Sequence, residues 1–88
     1  MDRRGFILEY YQVPRVNEEM LARLEEIISE LSPQEAAIVR LRLDKGYSYD
    51  MIAKEFGLSK ERVGEILRTV YLKLKHPARR RRVVGEDS

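Results

Sequence analysis

The sequence predicts a small all-α domain, and two observations support that prediction. From position 17 onward, apolar residues recur every three or four positions, which is the spacing of one helix face. Each of these stretches follows a capping residue and precedes a glycine or a proline. With 88 residues, 43% of them hydrophobic, the chain can bury one core. We therefore expect four helices, an N-terminal arm and a basic C-terminal tail.

The first two helices are predicted from their start signals. Asn17 is a favourable N-cap, and the apolar spacing behind it predicts a helix over about 18–31. The segment SPQE at 32–35 combines a capping serine, a proline at the first helical position and a capping-box glutamate. It opens a second helix that is expected to end near Gly46. The side chains expected to be buried there are Ala37, Ile38 and Leu41.

The third and fourth helices are short and lie close together in the chain. Ser48 caps the segment YDMIAKEF, which ends at Gly57. Ser59 then caps a helix expected over about 60–75. Pro77 cannot continue that helix, because it lacks an N–H and its ring clashes with the preceding turn.

The two ends of the chain carry weaker signals. Residues 1–16 contain FILEYYQV, which is compatible with a strand-like arm or a short helix, and an arm is the favoured interpretation. This segment is expected to fold over Tyr71 and Leu72, with a partner or dimer contact as the alternative. The expected domain covers 17–78, and residues 79–88, which lack periodicity, are expected to form a flexible tail.

The third and fourth helices have the spacing of a helix-turn-helix. Ala53 is small where two helices cross, and Gly57, four residues later, permits the left-handed conformation of a sharp turn. The second helix of such a unit enters the major groove of DNA. The apolar positions expected to face inward are Ile52, Phe56, Leu58, Val63 and Ile66.

The fourth helix has one apolar and one polar face. Glu61, Glu65 and Arg68 lie opposite the apolar stripe, and Gly64 lies on or beside the polar face. Gly64 therefore either permits a close approach to DNA or marks a position that reads no base. The inward stripe is expected to contain Val63, Ile66, Leu67, Val70 and Leu74.

Charge and composition narrow the class of function. Residues 1–59 carry 8 Lys/Arg against 11 Asp/Glu, whereas residues 60–82 carry 9 against 2, which is typical of a polyanion-binding segment. The absence of cysteine and the single histidine argue against disulfides and zinc sites. No cofactor, metal, small-molecule substrate or enzymatic activity is expected. No stretch is apolar enough to span a membrane, so a cytoplasmic protein is expected.

Three segments resemble region 4 of bacterial RNA polymerase sigma factors. They are LSPQEAAIVRLRL, SYDMIAKEFGLSKERVGEIL and YLKLKHPARR, within residues 31–80. The resemblance implies a helix-turn-helix domain that binds double-stranded promoter DNA at the upstream (−35) element. It also implies docking of the preceding helices on the β flap of the RNA polymerase core.

The resemblance also implies a set of DNA contacts. Lys60 stands where the family usually has a base- or phosphate-contacting arginine, and Glu61 matches the acidic residue that accepts from a cytosine amino group. Gly64 replaces a base-contacting arginine and Glu65 a glutamine, and both departures are expected to weaken binding to the usual element. The complete predicted DNA site is Arg42, Ser48, Tyr49, Ser59, Lys60, Glu61, Arg62, Gly64, Glu65, Arg68, Arg79 and Arg80.

Three functions remain open at this point. The favoured one is a stand-alone sigma region 4, working with a companion sigma-like subunit or regulated by an anti-sigma factor. The second is a module that binds the polymerase or a sigma factor with little specific DNA binding. The third is a dimeric DNA-binding regulator similar to the LuxR and GerE family, against which the KLKHPARR ending argues.

Overall fold

The computed structural model describes residues 1–85, and within them the chain contains six α-helices and no strand. The predicted all-α class is confirmed. Four of the helices match the predicted ones, and two more occupy the ends of the chain. The helices are α1 Arg3–Tyr11, α2 Glu18–Ser29, α3 Pro33–Lys45, α4 Tyr49–Phe56, α5 Lys60–Leu74 and α6 Pro77–Val84.

The predicted caps of α2 and α3 form as expected. The Asn17 side chain accepts a hydrogen bond from the Met20 N–H at 2.9 Å. Ser32 and Glu35 exchange the two bonds of a capping box, both at 3.3 Å. Gly46 ends α3 in the left-handed conformation, with φ of 68°. These starts and stops are fixed by short-range hydrogen bonds that the sequence alone specifies.

The N-terminal arm predicted over residues 1–16 is wrong, because residues 3–11 form helix α1. Asp2 caps this helix by accepting from the Gly5 N–H at 2.8 Å. The side chains of Phe6, Ile7 and Tyr11 are fully buried, so α1 belongs to the core. A helix this short has few sequence signals, and its packing against α3 and α5 stabilises it.

Tertiary contacts join α1 to the end of α5. The Phe6 ring lies 4.7 Å from the ring of Tyr10 and 5.6 Å from that of Tyr71, measured between centroids. The Tyr11 hydroxyl donates to the Leu74 carbonyl at 2.6 Å. Burial raises the pKa of Tyr11 to about 12, which keeps this donor protonated. Thus α1 covers Tyr71 as expected, but it leaves Leu72 57% exposed.

The prediction of a flexible tail over residues 79–88 is wrong for residues 79–84, because residues 77–84 form helix α6. Residues 86–88 lie outside the described range. His76 is the N-cap, with its Nδ1 accepting from the Ala78 N–H at 3.1 Å, and Gly85 ends the helix with φ of 72°. Within α6 only Val83 is buried, so the sequence of this helix has no apolar periodicity from which it could be predicted.

The arginines of α6 anchor it to the rest of the fold. Arg80 donates twice to the Tyr11 carbonyl, at 3.0 and 2.8 Å, and so caps the C-terminus of α1. Arg82 forms a two-point ion pair with Glu30, the C-cap residue of α2, at 2.8 and 2.6 Å. The basic run is therefore at least partly structural, although composition alone indicates a solvated tail.

The buried face of α3 differs from the predicted one. Ala37 and Leu41 are half-buried, whereas only Ile38 of the three expected residues is buried. The physical reason is that α3 contacts α1, α2 and α5, so its inward face is wider than a single stripe. The buried residues of α3 are Ala36, Ile38, Val39 and Leu43.

Glu25 on α2 connects three parts of the fold. Its carboxylate accepts from Arg40 of α3 at 2.6 Å, from Arg3 of α1 at 2.8 Å and from the Ser29 hydroxyl at 2.9 Å. Hydrogen bonding by Arg40, reinforced by Arg3 and Ser29, lowers the pKa of Glu25 from 4.5 to about 2. The ionised carboxylate is thus favoured in the folded state.

This lowered pKa predicts a pH-dependent contribution to stability. The contribution is complete above pH 4.5 and is lost as the pH falls through about 2, because only the ionised form accepts all three bonds. Since the side chain is 43% exposed, we expect Glu25→Gln to lower the free energy of unfolding by about 1 kcal/mol at pH 6. Urea titrations at several pH values should show the difference shrinking toward acid. A constant difference would contradict the assignment.

Candidate nucleic-acid interface

The corner between α4 and α5 sets the orientation of α5. Gly57 ends α4 with φ of 65°, a conformation that glycine adopts without strain, and the Leu58 N–H donates back to the Ala53 carbonyl at 2.9 Å. Ser59 then caps α5 by accepting from the Arg62 N–H at 3.0 Å. Ser48 caps α4 in the same way, through the Met51 N–H at 3.2 Å. The predicted helix-turn-helix is thus present.

Helix α5 has one buried and one exposed face, as predicted. Its buried residues are Val63, Ile66, Leu67, Val70 and Leu74, which are the residues expected from the sequence. Of the five apolar positions assigned to the helix-turn-helix core, Ile52, Val63 and Ile66 are buried, while Phe56 and Leu58 are half-buried. The exposed side of α5 carries Lys60, Glu61, Arg62, Glu65 and Arg68, all of them predicted site residues.

The exposed face of α5 is balanced in charge. Lys60 lies 3.9 Å from Asp50 of α4, and Arg62 lies 3.2 Å from Glu65. Both pairs are largely exposed, so each stabilises the fold little and can exchange partners. Glu61 and Arg68 form no ion pair with any residue in the described range 1–85.

Arg42 is half-buried, and its side chain bonds to other groups of the protein. Its guanidinium donates to the Tyr47 carbonyl at 2.8 Å and lies 5.3 Å from the centre of the Tyr49 ring. These contacts hold the turn between α3 and α4 and fix the first residue of α4. The predicted DNA contact of Arg42 stays a prediction, and its observed partners give it a positioning role.

Gly64 opens a groove beside the exposed face of α5. A Cβ at this position would lie 3.6 Å from the Tyr49 ring, so a larger side chain would project over that ring. The groove has a volume of about 610 Å³, and its apolar lining comes from Tyr10, Tyr49, Tyr71 and Leu72. The tyrosines are half-buried, and burial, reinforced by Tyr49, raises the pKa of Tyr71.

Sequence reasoning missed this groove because Tyr10 reaches it from a distant part of the chain. The signal that was available is the recurrence of Glu61, Glu65, Arg68, Leu72 and Lys75 along one side of the helix. The structure adds the aromatic wall, with the Tyr10 and Tyr71 rings 5.5 Å apart.

Arg79 and Arg80, also predicted to contact DNA, bond to backbone carbonyls. Arg79 donates to the Lys73 carbonyl at 3.2 Å, and Arg80 to that of Tyr11. The charged residues among the predicted DNA contacts therefore fall into three groups. Those on α5 are exposed, Arg42 bonds to the turn between α3 and α4, and Arg79 and Arg80 of α6 bond to carbonyls near helix ends. DNA contact by any of them stays a prediction.

The fold and this exposed helix define a helix-turn-helix protein of the DNA-binding class. The chain matches the family model "Sigma-70, region 4" over residues 27–76. The chain therefore belongs to the sigma-70 region 4 family, whose domains bind DNA in transcription and are not enzymes. No solved structure matches the chain.

The described residues contain neither a membrane-spanning helix nor a cluster of metal ligands. No helix within residues 1–85 has the length and apolarity required to cross a membrane. In the same part of the chain, His, Asp and Glu form no group of three that could hold a metal ion. The candidate site is thus the exposed face of α5 with its neighbouring groove.

Proposed function

We propose that the domain binds the upstream (−35) element of promoter DNA through α5 and docks on the β flap of RNA polymerase, in the cytoplasm and without catalysing a reaction. The observation that supports this most is the helix-turn-helix, which exposes Lys60, Glu61, Arg62 and Arg68 while burying the opposite face of α5. A helix presented in this way fits the major groove of DNA.

Each exposed residue has a chemically suitable role in that proposal. Lys60 and Arg62 can exchange their weak carboxylate partners for phosphates. Neither Arg68 nor Glu61 has an ion pair within residues 1–85, so Arg68 can meet a phosphate or a guanine and Glu61 can accept from a cytosine amino group. The N-terminus of α4, capped by Ser48, offers backbone N–H groups to a phosphate. A companion sigma-like subunit and an anti-sigma factor are further candidate partners.

A second function is favoured by the charge balance of this face. Asp50, Glu61 and Glu65 offset Lys60, Arg62 and Arg68, which reduces the attraction to a polyanion. The alternative is a module that binds the polymerase or a sigma factor and reads little DNA sequence.

The salt dependence of DNA affinity tests the first function. We expect a linear fall of log affinity with log salt, and Lys60→Ala and Arg62→Ala should each reduce its slope by about 0.9 for one lost phosphate contact. Arg15→Ala, which removes an exposed cation from the loop before α2, is the matched control and should leave the slope unchanged. Fluorescence anisotropy with a labelled −35 duplex measures the affinity.

The same preparation distinguishes the alternative. Purified polymerase core and an isolated β-flap fragment are immobilised and tested for retention of the chain. Retention together with salt-dependent DNA binding supports the proposed function. Retention with no DNA binding at low salt supports the second function, and absence of both contradicts the two proposals.

A further inference from the structure

One stripe on the exposed side of α5 separates its charges along the helix axis, and Lys60 and Arg62 lie on the two flanks of that stripe. Glu61 and Glu65 occupy the first half, and Arg68 and Lys75 occupy the second. At 3.6 residues per turn, all four lie along one stripe. Leu72 lies in the same stripe and is 57% exposed, a large apolar side chain without cover.

The groove next to this stripe is apolar at its base. Tyr49 lies beside Gly64 near the acidic half, and Tyr10 and Tyr71 lie beside the basic half. The missing side chain of Gly64 leaves a notch next to Tyr49, about two helical turns from Leu72. An exposed apolar groove with a charged rim is typical of an interaction surface.

We propose that this surface joins two copies of the chain in a symmetric dimer. In that dimer the two α5 helices lie antiparallel, so that the acidic half of each faces the basic half of the other. Glu61 and Glu65 of one copy then oppose Arg68 and Lys75 of the second copy, and Leu72 of each approaches the notch at Gly64. A single two-fold axis places the acidic half of each α5 helix against the basic half of the other, as an isologous interface requires.

Charge complementarity favours a second copy over other occupants. A uniformly acidic or basic helix in this groove would match only half of the stripe. Two identical stripes in antiparallel orientation bring opposite charges together toward both ends. One helix face and three tyrosines form a small contact, so the dimer is weak and forms at high protein concentration.

This dimer goes beyond the proposed function, but one consequence rests on it. Glu61, Glu65 and Arg68 are proposed DNA contacts, and the dimer covers them. Dimerisation and DNA binding would therefore exclude each other, and by linkage each would weaken the other equally. Self-association would then lower the concentration of DNA-binding monomer.

A charge-swap experiment on the full chain tests the dimer without DNA. Sedimentation equilibrium over a concentration series should show a monomer–dimer equilibrium for the wild type, weakened by added salt. The variants Glu61→Lys/Glu65→Lys and Arg68→Glu/Lys75→Glu should each dissociate at least about tenfold more readily. Mixing the two should restore a heterodimer, because opposite stripes then face each other. Glu9→Lys/Glu55→Lys, a control with the same charge change as the first variant, should behave like the wild type.

Leu72→Gln, a single change at an exposed position, tests the apolar part and should also weaken the dimer. Circular dichroism confirms that each variant is folded. A wild type that remains monomeric at all concentrations, or swapped variants that do not recover on mixing, would overturn the proposal. Addition of promoter duplex tests whether DNA binding and dimerisation exclude each other. Dimerisation without DNA binding would contradict the proposed function and leave the dimer standing. DNA binding by a chain that never dimerises would contradict the dimer and leave the proposed function standing.

Discussion

Phe6→Ala is expected to lower the free energy of unfolding by about 3–5 kcal/mol, the usual cost of removing a buried aromatic side chain. The ring is fully buried and contacts those of Tyr10, Tyr11 and Tyr71. A chain of this size has a total stability of roughly 4–13 kcal/mol, so the variant is expected to be marginal at 37 °C. Urea unfolding followed by circular dichroism measures the loss.

The neighbouring position provides the matched control. Leu8 lies on the same helix but is 44% exposed, so Leu8→Ala should cost less than about 0.5 kcal/mol. If Phe6→Ala does not fold, Ile7→Val gives a milder test at a fully buried site, with an expected loss of about 0.5–1.5 kcal/mol. Equal effects at the buried and exposed positions would mean that α1 is not part of the core.

The double variant Gly64→Arg/Glu65→Gln is expected to bind the −35 duplex about 10- to 100-fold more tightly than the wild type. A guanidinium is gained where the resemblance places a base contact, and one such contact is worth about 1–3 kcal/mol. The change also removes a carboxylate and frees Arg62 from its partner. A Cβ at position 64 lies in ordinary contact with Tyr49, so the longer side chain can be accommodated. Fluorescence anisotropy at fixed salt measures the affinity.

Two controls separate base recognition from added charge. Glu9→Arg adds the same two units of charge on α1 and should change affinity little. Gly64→Ala/Glu65→Gln removes the carboxylate without supplying the guanidinium and should give an intermediate affinity. If the arginine variant binds as the wild type does, the exposed face of α5 does not meet bases.

The sequence predicted α2 to α5 well because their signals are local. Caps such as Ser32 and Ser59 bond to N–H groups three residues away, and Gly46 and Gly57 take left-handed conformations that favour glycine. The inward stripe of α5 follows from spacing alone. Hence the helix-turn-helix and the exposed residues of the candidate site could be placed without coordinates.

The two ends of the chain could not be placed in this way. Helix α1 depends on distant residues: Arg3 forms an ion pair with Asp44, and Tyr11 bonds to Leu74. Helix α6 buries only Val83, and its arginines bond to groups on other helices. A run of arginines has the same sequence pattern whether it is solvated or anchored, so only the partners distinguish the two.

The sequence by itself determined the helical class, the sharp corner at Gly57 and which side of α5 faces outward, because each depends on residues within a turn or two of one another. The tertiary structure alone decided that α1 and α6 join the core, that Arg42 holds a turn and that three tyrosines form a groove beside Gly64. Those features depend on contacts between residues far apart in the chain, such as Tyr10 with Tyr71 and Arg80 with Tyr11, which no local pattern encodes.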